Sequence, residues 1–197
     1  MKKTTREAMH SSARIDWATP KKVFDSLHKE FNFTLDVCAT SANAKTPKYF
    51  NRRENGLKQD WNKKGANWMN PPYGDPEHPC KKNCKKKKCA ERGHHNRKYI
   101  PGITDWVEKA ANEMITRGCK TVALLPSRTD TGYFHSFIWD EETNGPRQGI
   151  DIRFYKGRIK FEGAEHPAPF PSVIVVFDPV LYSVQEAMKE GIKKQAF

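Results

Sequence analysis

The chain has 197 residues, 37% of them apolar and 29% charged, a length and composition that suit one folded domain with a sizeable core and exclude two large ones. Its formal net charge of +12 points to a polyanion, foremost nucleic acid, as partner. No apolar run approaches the roughly 20 residues of a membrane span, so no membrane partner is expected.

In chain order, residues 1–14 are polar and mixed in charge and read as a flexible leader, not a targeting segment. Residues 15–197 read as a single domain, expected in the cytoplasm. Pro20 to Glu30 forms a predicted helix with Thr19 as its cap and Pro20 at its opening position. Phe33 to Val37 and Ala66 to Met69 are predicted strands. The second strand runs into Asn70-Pro71-Pro72-Tyr73-Gly74. Its two prolines fix their own torsions, lack N–H donors and drive the preceding residue out of helical geometry. The loop is therefore stiff and rich in acceptors. The Asn70 side-chain oxygen and the Pro71 carbonyl suit a planar exocyclic amine, and Tyr73 offers a flat ring to a base drawn out of its stack. Asn70, Pro71, Pro72 and Tyr73 are the candidate catalytic residues.

Residues 75–104 carry nine Lys/Arg against three Asp/Glu, beside that loop. Beyond them, Thr104 to Arg117 is a predicted helix, Thr121 to Leu125 a strand followed by Pro126-Ser127-Arg128, and Thr129 to Trp139 a helix. Ile152 to Phe161 is expected to form a hairpin turning at Lys156-Gly157, Val173 to Phe177 a strand, and Ser183 to Lys194 a closing helix. Strands alternating with helices predict an α/β fold with a mainly parallel sheet. Ligands of such sheets bind at the carboxyl ends of the strands, where Asp36, Asn70 and Arg128 fall together. The five cysteines, odd in number and without a secretory signal, point to reduced thiols or a metal site and not to a disulfide framework.

The ordered motifs carry a resemblance. Trp17-Ala18-Thr19-Pro20, Phe33 to Ala39, Asn55-Gly56-Leu57 with Gln59-Asp60-Trp61, Asn70 to Gly74, Leu124 to Thr131, Gly157 to Phe161 and Pro169 to Ser172 resemble the phage-type DNA N6-adenine methyltransferases, a Dam-like family of bacteriophages and prophages. The resemblance implies a Rossmann-like S-adenosylmethionine-dependent enzyme with a seven-stranded, mainly parallel sheet whose last strand is antiparallel. It implies double-stranded DNA as substrate, no obligate protein partner, and the bacterial host cytoplasm as location. It places Thr19 and Pro20 against the methionine end of the cofactor, Asp36 with Cys38 and Ala39 at the end of the first strand holding it, and Asp60 at its adenine or ribose. One departure is the absence of a Gly-x-Gly turn after the first strand; a cofactor without a pyrophosphate does not demand one.

Against the family pattern, Asp75 to Thr104 reads as an insertion. It contains Cys80, Cys84, Cys89 and the neighbouring His94 and His95, so three thiolates and one imidazole are on offer to a tetrahedral zinc ion. His94 is taken as the fourth ligand, with His95 as the alternative and His78 also open. Lys85, Lys86, Lys87 and Lys88 are read as phosphate-attracting, and Arg128 as a phosphate contact or a support of the active loop. Asp130 is a candidate cap for the helix beginning near Thr131. Alternatives remain open: N4 methylation of cytosine, methylation of protein glutamine, whose carboxamide is also planar, or a zinc-knuckle nucleic-acid-binding protein without catalysis. A cytosine-5 mechanism is set aside, because no Pro-Cys pair occupies the active position; Pro79-Cys80 lies among the other cysteines of the insertion.

Overall fold

A computed structural model of the chain describes residues 17–195; the leader expected over 1–14 lies outside them. The elements in chain order are α1 (Lys21–Phe31), β1 (Phe33–Asp36), a 3-10 turn at Gly56–Lys58, β2 (Ala66–Met69), α2 (Lys87–Arg92), α3 (Ile103–Arg117), β3 (Lys120–Pro126), α4 (Gly132–Phe137), β4 (Trp139–Asp140), β5 (Gly145–Pro146), β6 (Ile150–Phe154), β7 (Ser172–Phe177) and α5 (Pro179–Gln195). None of these helices is long and apolar enough to cross a membrane.

Five strands form the main sheet in the order β1-β2-β3-β7-β6. β1, β2 and β3 are mutually parallel, and β7 runs antiparallel to both β3 and β6, so four strands point one way. The expected antiparallel last strand is therefore present, but seven strands are not; the described residues supply five. Between β1 and β2, residues 37–65 form no strand of the sheet and contain no long apolar run that could bury two faces. Tyr49 alone there bridges to Asp36.

The central strands are apolar on both faces because both are covered. Along β3, Ala123 and Leu125 join a core with Trp106, Val107, Ala110 and Met114 of α3. Val122 and Leu124 join the opposite core with Phe24 of α1 and Trp68 of β2. This period-two partition across a buried sheet explains why these strands read as unbroken apolar runs.

Several expected elements differ. Pro20, extended at φ −60° and ψ 138°, is the residue before α1, and no side chain caps that helix; Thr19 faces inward instead. Ile152–Phe161 is not a hairpin. β6 takes β7 as its partner, and the chain then leaves the sheet so that Ile159 and Phe161 sink into the core beside α1. α4 ends at Phe137, six residues long, because the Arg147 guanidinium occupies the His135 carbonyl at 2.8 and 3.1 Å, and Trp139–Asp140 pairs with Gly145–Pro146. α5 begins at Pro179, not Ser183; the Asp178 carboxylate accepts the Val180 N–H at 3.0 Å, with proline at the first helical position where its missing donor is harmless.

Candidate active site

The site lies at the carboxyl ends of β1, β2 and β3. Strand β2 ends at the fully buried Met69, and the chain then turns through Asn70 and the buried Pro71. The Asn70 carboxamide is held from both ends. Its Nδ2 donates to the Trp17 carbonyl at 2.5 Å and to Thr19 Oγ1 at 3.0 Å. Its Oδ1 accepts the Tyr73 hydroxyl at 2.6 Å, which also lies 3.2 Å from the Leu124 carbonyl at the end of β3. Thr19, 2% exposed, is thus part of the site through its hydroxyl and not as a helix cap. An sp² oxygen accepts two hydrogen bonds, so Asn70 Oδ1 retains one lone pair for an incoming amine.

Tyr73 sits half-buried, edge-on to Phe170 at 5.6 Å and Phe161 at 6.3 Å. Burial first, then the neighbouring Cys38 and Tyr133, holds its phenol well above the usual range. It therefore stays a neutral donor to Asn70.

Beside Asn70 is a shallow, open recess lined by Ala18, Thr19, Asp36, Cys38, Asn43 and Lys45, among others. Asp36, 3% exposed, accepts the backbone N–H of Lys45 at 3.1 Å and of Cys38 at 3.4 Å. Those two donors and the Lys45 charge lower its pKa, but desolvation outweighs them and raises it to about 6. A cationic group entering the recess would restore the compensation that water no longer provides. The Cys38 thiol is pushed well above its ordinary range by burial and by Asp36, with the Asn70 backbone amide acting the other way; a thiol held protonated is no nucleophile. Ala39 is buried behind it, and its N–H bonds the Phe50 carbonyl. Lys45 was not singled out by any motif, yet its amide holds Asp36 while its ammonium group pairs with Glu162 at 3.1 Å. The chain thereby ties the recess to the segment that follows β6.

Asp60 is not brought to this recess. It is exposed and pairs with Arg117 at 2.9 Å, at the end of α3 just before β3 begins, hence toward the amino-terminal ends of the strands and away from the recess. The adjacent Trp61 N–H and the Cys119 thiol approach the buried Glu113, which also receives Lys109 and Arg117. This end of the sheet carries an ionic network centred on the buried Glu113. Arg128 is exposed, with Asp130 at 3.6 Å. Asp130 does not cap α4, whose preceding residue is Thr131.

In the basic insertion Cys80, Cys84, Cys89 and His95 place their ligand atoms within 4.8 Å of one another. His95, not His94, completes the set. The His94 ring turns to the Arg92 carbonyl at 3.1 Å. The Cys89 sulfur lies 3.4 Å from that of Cys80 and 3.7 Å from that of Cys84. The Cys80 contact, then partial burial and Cys84, pushes the Cys89 thiol up to about 11, whereas the Lys86 amide draws Cys84 down. Three crowded thiols cannot all ionise without a cation among them. A tetrahedral zinc with Zn–S bonds of about 2.3 Å sets its sulfurs about 3.8 Å apart, close to the spacing found. Lys85, Lys86, Lys87 and Lys88 are all exposed.

Comparison with known proteins matches residues 6–178 to the family model described as DNA N-6-adenine-methyltransferase (Dam). A 62-residue stretch is 34% identical to a protein of Escherichia phage T1 named DNA N-6-adenine-methyltransferase, covering 31% of this chain and 26% of the phage protein. A 63-residue stretch is 36% identical to YfdM of Escherichia coli strain K12, a protein named as a candidate methyltransferase, covering 29% of this chain and 69% of that one.

Proposed function

Because the chain belongs to the DNA N-6-adenine-methyltransferase (Dam) family, we propose that it transfers a methyl group from S-adenosylmethionine to the N6 amino group of adenine in double-stranded DNA. Residues 15–197 then form one Rossmann-like domain carrying a basic insertion, acting in the cytoplasm of a bacterial host. The observation that carries this reading is the Asn70 carboxamide, locked by Trp17, Thr19 and Tyr73 beside a recess whose floor is the buried Asp36.

S-adenosylmethionine, when bound, supplies an electrophilic methyl group on a sulfonium. Thr19, Asp36 and Cys38, which line the recess, with the adjoining Pro20 and Ala39, are the residues that would hold it; the buried carboxylate suits its cationic groups. Asn70 Oδ1 accepts one hydrogen of the adenine amine, and the Pro71 carbonyl is assigned the other. Both acceptors raise the electron density on nitrogen and stabilise the positive charge that develops there. With the donor bound, its methyl group would pass to the amine nitrogen while the sulfur–carbon electron pair stayed on sulfur, and one amine proton would pass to water. Because Tyr73 fixes Asn70 in advance, little reorganisation accompanies the step. Pro72 stiffens the turn, Arg128 contacts a phosphate, and the insertion contributes Lys85 to Lys88 and a zinc ion.

The test is incubation of purified protein with methyl-labelled S-adenosylmethionine and unmethylated DNA, followed by digestion and identification of the labelled nucleoside by mass spectrometry. N6-methyladenine that disappears in Asn70→Ala supports the reading. N4-methylcytosine would move the target to a different amine. No transfer to DNA, with label appearing in glutamine-containing protein, would overturn DNA as the substrate.

A further inference from the structure

Between Glu77 and Ile100 only Cys89 and Asn96 are buried. A segment with so little apolar interior cannot hold a shape by hydrophobic burial and needs a cross-link or a metal. Its four candidate ligands converge, and its base is organised separately. The Glu77 carboxylate accepts Arg92 Nη2 at 3.0 Å and Asn96 Nδ2 at 2.6 Å, and lies 3.6 Å from the Lys88 ammonium. Asn96 also returns its carbonyl to the Cys80 N–H at 2.9 Å. Glu77 and Ile100 exchange both backbone hydrogen bonds at 2.9 Å. Just below, the Ile103 N–H is bound to the Gly74 carbonyl at 2.9 Å, one residue beyond Tyr73.

We propose that one zinc ion held by Cys80, Cys84, Cys89 and His95 folds this segment and fixes α2 as a phosphate-binding face mounted on the catalytic loop, so that affinity for DNA depends on the metal while affinity for the methyl donor does not. Zinc binding converts the three thiols to thiolates and releases their protons to solvent. The centre keeps a single negative charge, outnumbered by the nine Lys/Arg of residues 75–104. Lys85 and Lys86 have no ion-pair partner among the described residues, and Lys87 and Lys88 lie 3.7 and 3.6 Å from Glu91 and Glu77. With zinc these cations are held at the start of α2, Lys87 and Lys88 in its first turn and Lys85 and Lys86 just before it; without it they lie on a chain that must be ordered each time DNA binds, an entropic cost to affinity.

This inference rests on DNA as the substrate, and its test separates the two. Zinc is measured by elemental analysis on the full-length protein, cobalt substitution reports thiolate coordination by absorbance, and DNA affinity is followed by anisotropy over a salt series. Methyl-donor affinity is followed by calorimetry. Expected are one zinc per chain, its loss in Cys84→Ser and His95→Ala but not in His94→Ala, and a roughly tenfold or greater fall in DNA affinity on chelation. The salt slope should become shallower by about one for each phosphate that the protein no longer neutralises, with methyl-donor affinity unchanged. A joint change of Lys85 to Lys88 to Gln keeps the ligands and should weaken DNA binding and flatten the slope to the same extent with zinc retained. No bound metal, or chelation that leaves DNA affinity and slope unaltered, overturns the inference. If chelation abolishes methyl-donor binding too, the metal supports the whole domain and the inference is again overturned. Zinc-dependent DNA binding without any methylation would leave it standing and defeat the catalytic reading.

Discussion

Tyr73 donates its hydroxyl to Asn70 Oδ1 across 2.6 Å, so the first and last residues of the tetrapeptide form one hydrogen-bonded unit, with the two prolines closing the turn between them. Tyr73→Phe keeps the ring against Phe161 and Phe170 but leaves Asn70 Oδ1 without its internal donor. An unsatisfied buried polar group costs about 1–3 kcal/mol, and if that loss falls on the transition state kcat drops roughly 5- to 160-fold. Steady-state methyl transfer should show the change in kcat, with the KM for methyl donor within about twofold. Asn70→Ala removes the acceptor itself and should reduce transfer further. A Tyr73→Phe enzyme as fast as the parent would show that Asn70 needs no such positioning.

Asp36 carries a pH signature. Its folded pKa of about 6 lies above its ordinary 3.8. The stability linked to its protonated form is therefore fully present below pH 3.8 and is lost as pH rises through 6, with roughly 3 kcal/mol at stake. Asp36→Asn should remove that component, which urea unfolding of both proteins from pH 4 to pH 8 will show. Methyl-donor affinity should run the opposite way in the parent, weakening below pH 6 as the carboxylate is neutralised.

The two carboxylates that share Arg117 should separate cleanly under mutation. Asp60→Ala removes an exposed ion pair with Arg117 and is expected to change stability by less than about 1 kcal/mol, with methyl-donor affinity unaltered by calorimetry. Glu113→Ala strips the buried partner of Lys109 and Arg117 and should destabilise by about 3–5 kcal/mol in urea. An Asp60→Ala protein that binds methyl donor tenfold more weakly would return that residue to the cofactor.

Gly102 has no room for a side chain. A Cβ there would stand 2.2 Å from the Pro76 nitrogen and 2.5 Å from the Gly74 carbonyl oxygen, all of it backbone that cannot rotate away. Gly102→Ala is expected to destabilise by about 1–3 kcal/mol and to lower Tm by roughly 3–10 °C, and the shift should be visible by calorimetry. The Asn70 loop begins at the other end of that contact, so activity at a permissive temperature should fall as well.

Much of this was legible in the residues and some was not, for physical reasons. β3 and β7 announce themselves because both faces are buried and their centres, Val122 to Leu125 and Val173 to Phe177, are unbroken apolar runs. β6 does not: Ile150 and Ile152 alternate with Asp151 and Arg153, which matches a hairpin arm as well as an edge strand. The Asn70 loop is readable from its prolines. The clamp on Asn70 is not, since Trp17 and Thr19 reach it only through the fold. Asp60 follows Gln59 and precedes a core tryptophan, a pattern that an ion pair with a distant helix end satisfies as well as a ligand does. His94 and His95 are neighbours in composition and spacing; only the backbone direction after α2 decides which one turns toward the thiols.

The antiparallel pairing of Glu77 with Ile100 places the two ends of the insertion side by side, so the surrounding domain experiences the segment as a closed loop whatever its contents. Lengthening such a loop is cheap, about 0.6 kcal/mol for each doubling, and its internal arrangement transmits no strain to the strands. The position behaves as a socket. A segment of different length and charge grafted between Glu77 and Ile100 would alter what approaches the catalytic turn while leaving the turn and the sheet beneath it as they are.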